Sequence, residues 1–169
     1  AGLRLAEGRS AIRKMAEKII DIEAMTSEDC SFSVGVINAG NWVNCVSSKA
    51  SAEVLSMSKR QEDLNDGIAR MLDHNDPDDE VITRVKLGLT RPVWTPSTAD
   101  LKLVELANDL ATQLGQPFRH ESSGGGSDGN FTGAMGVPTL DGLGVAGDKY
   151  HTLEEHIEID SLVMRGRML

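Results

Sequence analysis

Residues 31–46, Ser-Phe-Ser-Val-Gly-Val-Ile-Asn-Ala-Gly-Asn-Trp-Val-Asn-Cys-Val, decide how the first part of the chain folds. Phe32, Val34 and Val36 alternate with small residues, the two-residue period of a strand with one buried face. Gly40-Asn41 marks a turn, and Trp42 to Val46 begins the return. Upstream, Ile12, Met15, Ala16, Ile19 and Ile20 recur at helical spacing among basic and acidic residues, which predicts an amphipathic helix from Ser10 to Met25. Downstream, a second extended stretch covers Ala50 to Ser58. Leu64, Ile68, Met71 and Leu72 then give another helix, ending before the Asp-rich turn at Asn75 to Asp79. Val81, Thr83, Val85, Leu87 and Leu89 alternate as a further strand. The order is helix, strand, strand, helix, strand. One more strand at the front would complete a ferredoxin-like split β-α-β layer, whose open face or edge is available to a partner.

The composition changes between Thr90 and Ser97, where Pro92 and Pro96 bracket Trp94, so a domain boundary is placed there: 1–90 and 91–169. Beyond it, Thr98 is expected to cap a long helix with Leu103, Ala107, Leu110, Ala111 and Leu114 on its buried face, stopped by Gly115. A short extended piece at Phe118 to Glu121 leads into a glycine-rich loop. A short helix at Phe131 to Met135, a buried strand at Pro138 to Leu140, a loop carrying His151 and a last helix from Ser161 complete the second part. The fold class is mixed α/β (α+β).

A hydrophobic share of 40% can build a core, and because aromatics make up only 4% that core rests on aliphatic residues. The net charge of -9 repels nucleic acid and anionic membranes, leaving a small molecule or peptide as the fitting substrate. No apolar run reaches bilayer-spanning length, and there is no signal-peptide pattern. Cys30 and Cys45 read as reduced thiols in a cytoplasmic protein. The chain opens at Ala1 rather than Met, which is what a processed or truncated product shows.

Three groups of residues can carry chemistry. Ser122 to Asn130, Ser-Ser-Gly-Gly-Gly-Ser-Asp-Gly-Asn, lies between an extended segment and a helix, where consecutive glycines let backbone N–H groups approach a ligand closely. It reads either as a ligand loop or as a plain flexible turn. It is not a phosphate-binding P-loop, because no Gly-Lys-Ser/Thr follows. Gly125 to Gly129 also matches the Gly-x-Ser-x-Gly of serine hydrolases, with Asp141 and His151 following Ser127 in order, which opens a second catalytic class. The upstream strand and oxyanion loop of that class are missing. His151, in Lys149-Tyr150-His151-Thr152-Leu153-Glu154-Glu155, is either a surface residue or a metal ligand. His74, His120 and His156 have no partners at ligand spacing, so no complete zinc site is visible.

Several strings, taken in order, resemble the two-zinc amidohydrolase and peptidase family of aminoacylase, acetylornithine deacetylase and glutamate carboxypeptidase. They are Ala1-Gly2 with Glu7 to Ile12, Gly35 to Val46, Arg91-Pro92, Ser123 to Asp128, Gly136 to Gly144 and His151 to Glu155. Together they cover nearly the whole chain. The resemblance implies that 1–90 is a ferredoxin-like lid and dimerisation domain lacking its first strand. It implies that 91–169 is the C-terminal segment of a zinc-exopeptidase-like catalytic domain. Residue by residue, it implies that His151 is a ligand to one of two zinc ions and that Asn44 contacts substrate or polarises its carbonyl. Arg91 with Gly124, Gly125, Gly126 and Ser127 would hold the carboxylate end of a small-molecule or dipeptide-like substrate. A homodimer through the lid is implied as well.

The departures are equally specific. The other zinc ligands and the general-base Glu of the family have no counterpart, nor does the His that directly precedes Ala-Gly, so no catalytic residue is assigned. Leu55-Ser56-Met57 stands where many members have Asp-x-Arg, and Ser47 stands where Pro is expected. The chain alone is therefore expected to be inactive. The alternatives are a stand-alone dimerisation or ligand-binding module, or a serine hydrolase using Ser127.

Overall fold

The computed structural model describes residues 2–168; Ala1, which opens the first of the strings above, lies outside the described residues. The chain forms two compact units, Ala1–Val93 and Trp94–Leu169.

In the first unit a short 3₁₀ helix at Gly2–Glu7 precedes α1 (Ala11–Glu23). The side chain of Ser10 accepts a hydrogen bond from the Arg13 N–H and so caps the orphan donors of the first turn. Strand β1 (Cys30–Ala39) pairs antiparallel with β2 (Ala50–Ser58), Cys30 opposite Ser58 and Ala39 opposite Ala50. Helix α2 (Gln61–Leu72) follows. Ile22 of α1 with Cys30 and Phe32 of β1 form the buried cluster, joined by the partly buried Met25, Val34, Val54 and Met71. Arg70 of α2 lies over the Phe32 ring, 5.3 Å from its centroid, and donates to the Met25 carbonyl at 2.8 Å. Gly67 is where α2 comes closest to β1, since a Cβ there would stand 2.6 Å from the Cys30 Sγ.

Three expectations for this unit are corrected. The register slips between Val34 and Val36, a bulge at Gly35, so Val36 leaves the buried face that Phe32 occupies and is 44% exposed. The return strand starts at Ala50, and residues 42–46 are a turn closed by Cys45 N–H to the Trp42 carbonyl at 3.2 Å. The alternating segment 81–89 joins no ladder; only Thr83 pairs, with Asp76. The reason is topological. In a split β-α-β layer the last strand pairs with the first strand, and among the described residues no strand precedes α1. On α1, Ala11, Met15, Ile19 and Ile22 point inward, while Ile12 and Ile20 are exposed.

In the second unit α3 (Thr98–Gln113) is followed by α4 (Gly129–Ala134), the two-residue strands β3 (Gly147–Asp148) and β4 (His156–Ile157), and α5 (Ile159–Gly166). Strands β3 and β4 pair antiparallel. The N-cap of α3 is Ser97 rather than Thr98: the Ser97 side chain accepts from the Asp100 N–H while the Asp100 carboxylate accepts from the Ser97 N–H. Ala107 and Ala111 of α3 are buried, Leu103 and Leu110 are half-buried, and Leu114 is exposed. Residues 118–121, expected as an extended piece, and 138–140, expected as a buried strand, join no strand, and Pro138 is exposed. The Thr139 N–H donates instead to Asp100 Oδ1 at 2.7 Å, which ties this segment to the start of α3. No helix among the described residues is long and apolar enough to cross a membrane.

Candidate functional site

Asn44 and Arg91 belong to the first unit, and the glycine loop and His151 belong to the second. Asn44 is exposed in the turn after Gly40, next to Trp42 and Val43, which are 74% and 106% exposed. Gly40 has φ +71, a left-handed conformation that favours glycine and turns the chain out of β1. Arg91 is exposed in the extended segment that leads out of the first unit.

The loop 122–128 holds itself by short side-chain contacts. Ser123 Oγ accepts from the Gly125 N–H at 3.1 Å, Ser127 Oγ from the Gly129 N–H at 3.1 Å, and Asn130 Oδ1 from the Ser127 N–H at 2.9 Å. Gly124, Gly125 and Gly126 are exposed and Ser127 is half-buried. A Cβ at Gly124 would meet nothing within 4 Å, and one at Gly125 would meet only Ser123 Oγ at 3.5 Å. Neither has a positive φ. The chain's own folding therefore does not demand glycine at these two positions, whereas close approach of another group would. Further on, Gly133 does serve the fold, because a Cβ there would lie 2.3 Å from the Trp94 indole.

His151 sits in the loop of the β3–β4 hairpin. Its φ is +64 and that of Lys149 is +59, the two non-glycine residues with positive φ among the described residues. The turn is closed by Thr152 N–H to the Lys149 carbonyl at 3.2 Å and by Thr152 Oγ1 to the same carbonyl at 2.7 Å. Glu155 Oε2 accepts the His151 N–H at 3.4 Å, and the Lys149 ammonium pairs with Glu154. The His156 ring contacts the Glu154 carbonyl at 3.0 Å, and His151 and His156 are both exposed. Among the described residues no histidine bonds Ser127, whose hydroxyl is engaged by Gly129.

The residues present do not by themselves hold a metal. No group of three His, Cys, Asp or Glu side chains converges among the described residues, and a catalytic zinc takes three protein ligands.

Two ties near these loops have little mark in the residue pattern, Asp100 to Thr139 and Glu155 to the His151 amide. Asp100 is 3% exposed, and its carboxyl is pulled down to about 2 by the Thr139 N–H first, then by the Ser97 N–H and hydroxyl. The spacing Ser97-x-x-Asp100 ahead of an apolar run carried the signal for Asp100. Glu155, four residues after His151, acts across a non-helical turn, for which spacing gives no rule.

The chain is similar to a tripeptidase from Staphylococcus aureus, with a TM-score of 0.68 and 25% identity over 97% of this chain. It also shares the fold of aminopeptidase PepT from Bacillus cereus, with a TM-score of 0.66 and 24% identity over 99% of the chain. It spans 44% and 46% of those two chains, respectively. The architecture is thus the α+β class of which these peptidases are made. More narrowly, residues 6–169 match the model of Peptidase family M20/M25/M40, and the chain belongs to that family. A stretch of 68 residues is 37% identical to the uncharacterized protein YqjE of Bacillus subtilis, covering 40% of this chain and 18% of that protein.

Proposed function

We propose that this chain is the C-terminal portion of a metal-dependent hydrolase that cleaves an amide bond in a small peptide or N-acyl amino acid. The first unit would be its lid and dimerisation domain and the second the end of its catalytic domain. One observation carries the reading: in a chain of this peptidase family, His151 is held in a left-handed backbone conformation on an over-determined turn, with its imidazole exposed. Strained non-glycine backbone persists where the surroundings enforce it, and such places concentrate at functional sites. His151 is then one metal donor, with the remaining donors and the general base outside these residues. The tripeptidase and the aminopeptidase among the similar structures support a peptide as substrate.

Asn44 would contact the substrate from the lid. Arg91 and the loop Gly124 to Ser127 would receive its carboxylate, a role that fits glycines the fold itself does not need. A second copy would pair with the two-stranded sheet, which has no further strand on either edge among the described residues. The free thiols Cys30 and Cys45 fit a reducing cytoplasm.

The test is an assay of the purified 18.2 kDa chain with zinc on di- and tripeptides and N-acyl amino acids, which is expected to give no turnover. Robust zinc-dependent hydrolysis by this chain would overturn the assignment of the other ligands to sequence outside it. In a longer protein containing this chain, His151→Ala is expected to abolish turnover with the fold intact. Full activity in that variant would remove His151 from the metal site.

A further inference from the structure

Resting on the reading of His151 as a metal donor, we infer that Glu155 is a positioning residue: its carboxylate, bonded to the His151 N–H, holds that residue in the left-handed conformation that presents the imidazole. The left-handed region is sterically disfavoured for an L-residue, and the β3–β4 loop contains two such residues, Lys149 at φ +59 and His151 at φ +64. Each has its own restraint. Lys149 is fixed from three sides: its N–H donates to Asp148 Oδ1 at 2.7 Å, its carbonyl accepts from Thr152, and its ammonium pairs with Glu154. For His151 the contact is the Glu155 carboxylate, 3.4 Å from the amide nitrogen. Glu155 is itself anchored, because its N–H donates to the Thr152 carbonyl at 3.2 Å.

This division of labour has a consequence for the chemistry. Three carboxylates lie within four residues of His151, those of Asp148, Glu154 and Glu155, and each could be taken for a second metal donor. Asp148 accepts the Lys149 N–H, Glu154 pairs with the Lys149 ammonium and Glu155 accepts the His151 N–H, so all three act inside the loop. The loop therefore offers a metal one imidazole, pre-set in direction, and its carboxylates serve the backbone. A donor whose backbone is fixed before the metal arrives loses less conformational freedom on binding.

The experiment uses the intact 169-residue chain labelled for NMR. A residue with positive φ shows a strong contact between its own amide proton and Hα, and this contact is expected at residues 149 and 151. In E155A it is expected to vanish at residue 151 and remain at 149, with amide exchange at 151 severalfold faster and the thermal midpoint little moved. E155Q keeps a carbonyl acceptor of the same reach and is expected to retain the contact, whereas E155D is too short and should lose it. Persistence of the contact at 151 in E155A overturns the proposal, as does its loss in E155Q together with E155A. Should E155A not fold, the contrast between E155Q and E155D decides by the same signal. A parallel titration with zinc chloride, followed at the imidazole signals of His74, His120, His151 and His156, tests the underlying reading separately. A His151 ring that ignores zinc in every variant would sink the ligand assignment while leaving the positioning result readable from the backbone signal.

Discussion

The first unit buries Ile22, Cys30 and Phe32 in one cluster, and Leu64 of α2 is buried as well, whereas the second buries Ala107, Ala111 and two polar residues, Asp100 and Ser161. In the second unit the large apolar side chains of α5 stay outside: Ile159 is 74% exposed and Val163 64%. Its order comes from polar ties instead. Asp100 receives the N–H groups of Thr139 and Ser97, Ser161 Oγ receives the Ala146 N–H at 2.9 Å, and Gln116 donates to the Met164 carbonyl at 2.9 Å. The difference is one of mechanism. Apolar burial is non-directional and holds whole elements together, while each directional bond fixes one point of backbone. A unit built from such points can set the conformation of loops such as 122–128 and 149–155, and it depends more on each single contact.

Substitutions can break this contrast, and the largest effect is expected in the first unit. Phe32→Ala removes the 4%-exposed ring on which Arg70 rests. It should cost about 3–5 kcal/mol, enough to abolish amide protection across β1 and β2 in hydrogen exchange. If protection survives, the cluster around Phe32 is not what holds the unit. Next, Gly133→Ala drives a Cβ to 2.3 Å from the Trp94 indole and should destabilise the second unit by about 1–3 kcal/mol, seen as a lowered unfolding midpoint and altered Trp94 fluorescence.

Acid should act on the second unit in particular. The Asp100 carboxyl is at about 2 in the folded chain, below the ordinary ~3.9 of an unfolded aspartate. A lowered folded value means that stability is fully present above the unfolded value and drains away as pH falls through the folded one. Unfolding followed at the Thr139 amide should therefore lose stability between about pH 4 and about pH 2. Asp100→Asn should be less stable at neutral pH and should flatten that slope. An unchanged slope would assign the acid sensitivity to another carboxylate.

Two smaller effects sharpen the picture of the loops. His151→Gly relieves a left-handed L-residue and should stabilise the chain slightly, by about 1 kcal/mol or less, because glycine's own entropy offsets part of the gain. A loss of stability there would mean that the imidazole contributes packing. Gly124→Ala, where a Cβ meets nothing within 4 Å, should change stability by no more than about 0.5 kcal/mol. If the midpoint falls clearly, the loop needs that glycine for its own conformation, and the argument that it leaves room for a ligand fails.

Legibility from sequence followed the same division. The helix from Ser10, the strand beginning near Phe32, the extended run 50–58 and the helix through Leu64 were readable because burial imprints a period on the residue pattern. The glycine loop and the His151 turn stand out in the sequence as candidates because a run of three glycines and a His beside acidic residues are unusual locally. Missing from the pattern were the bulge at Gly35, which moves Val36 to the exposed side, and the fate of 81–89. That segment alternates like a strand, but alternation states only which face would be buried, and a ladder also needs a neighbour.

The sequence by itself determined the order of the main helices and strands and the family, because propensity, periodicity and motif spacing are local properties of the chain. Tertiary structure alone decided that Asp100 binds the backbone of Thr139, 39 residues away, that Gly133 is needed for Trp94, and that His151 is held at positive φ with Glu155 on its amide. Each of these depends on two groups meeting through space at hydrogen-bond or van der Waals distance. No period or propensity along the chain encodes such a meeting.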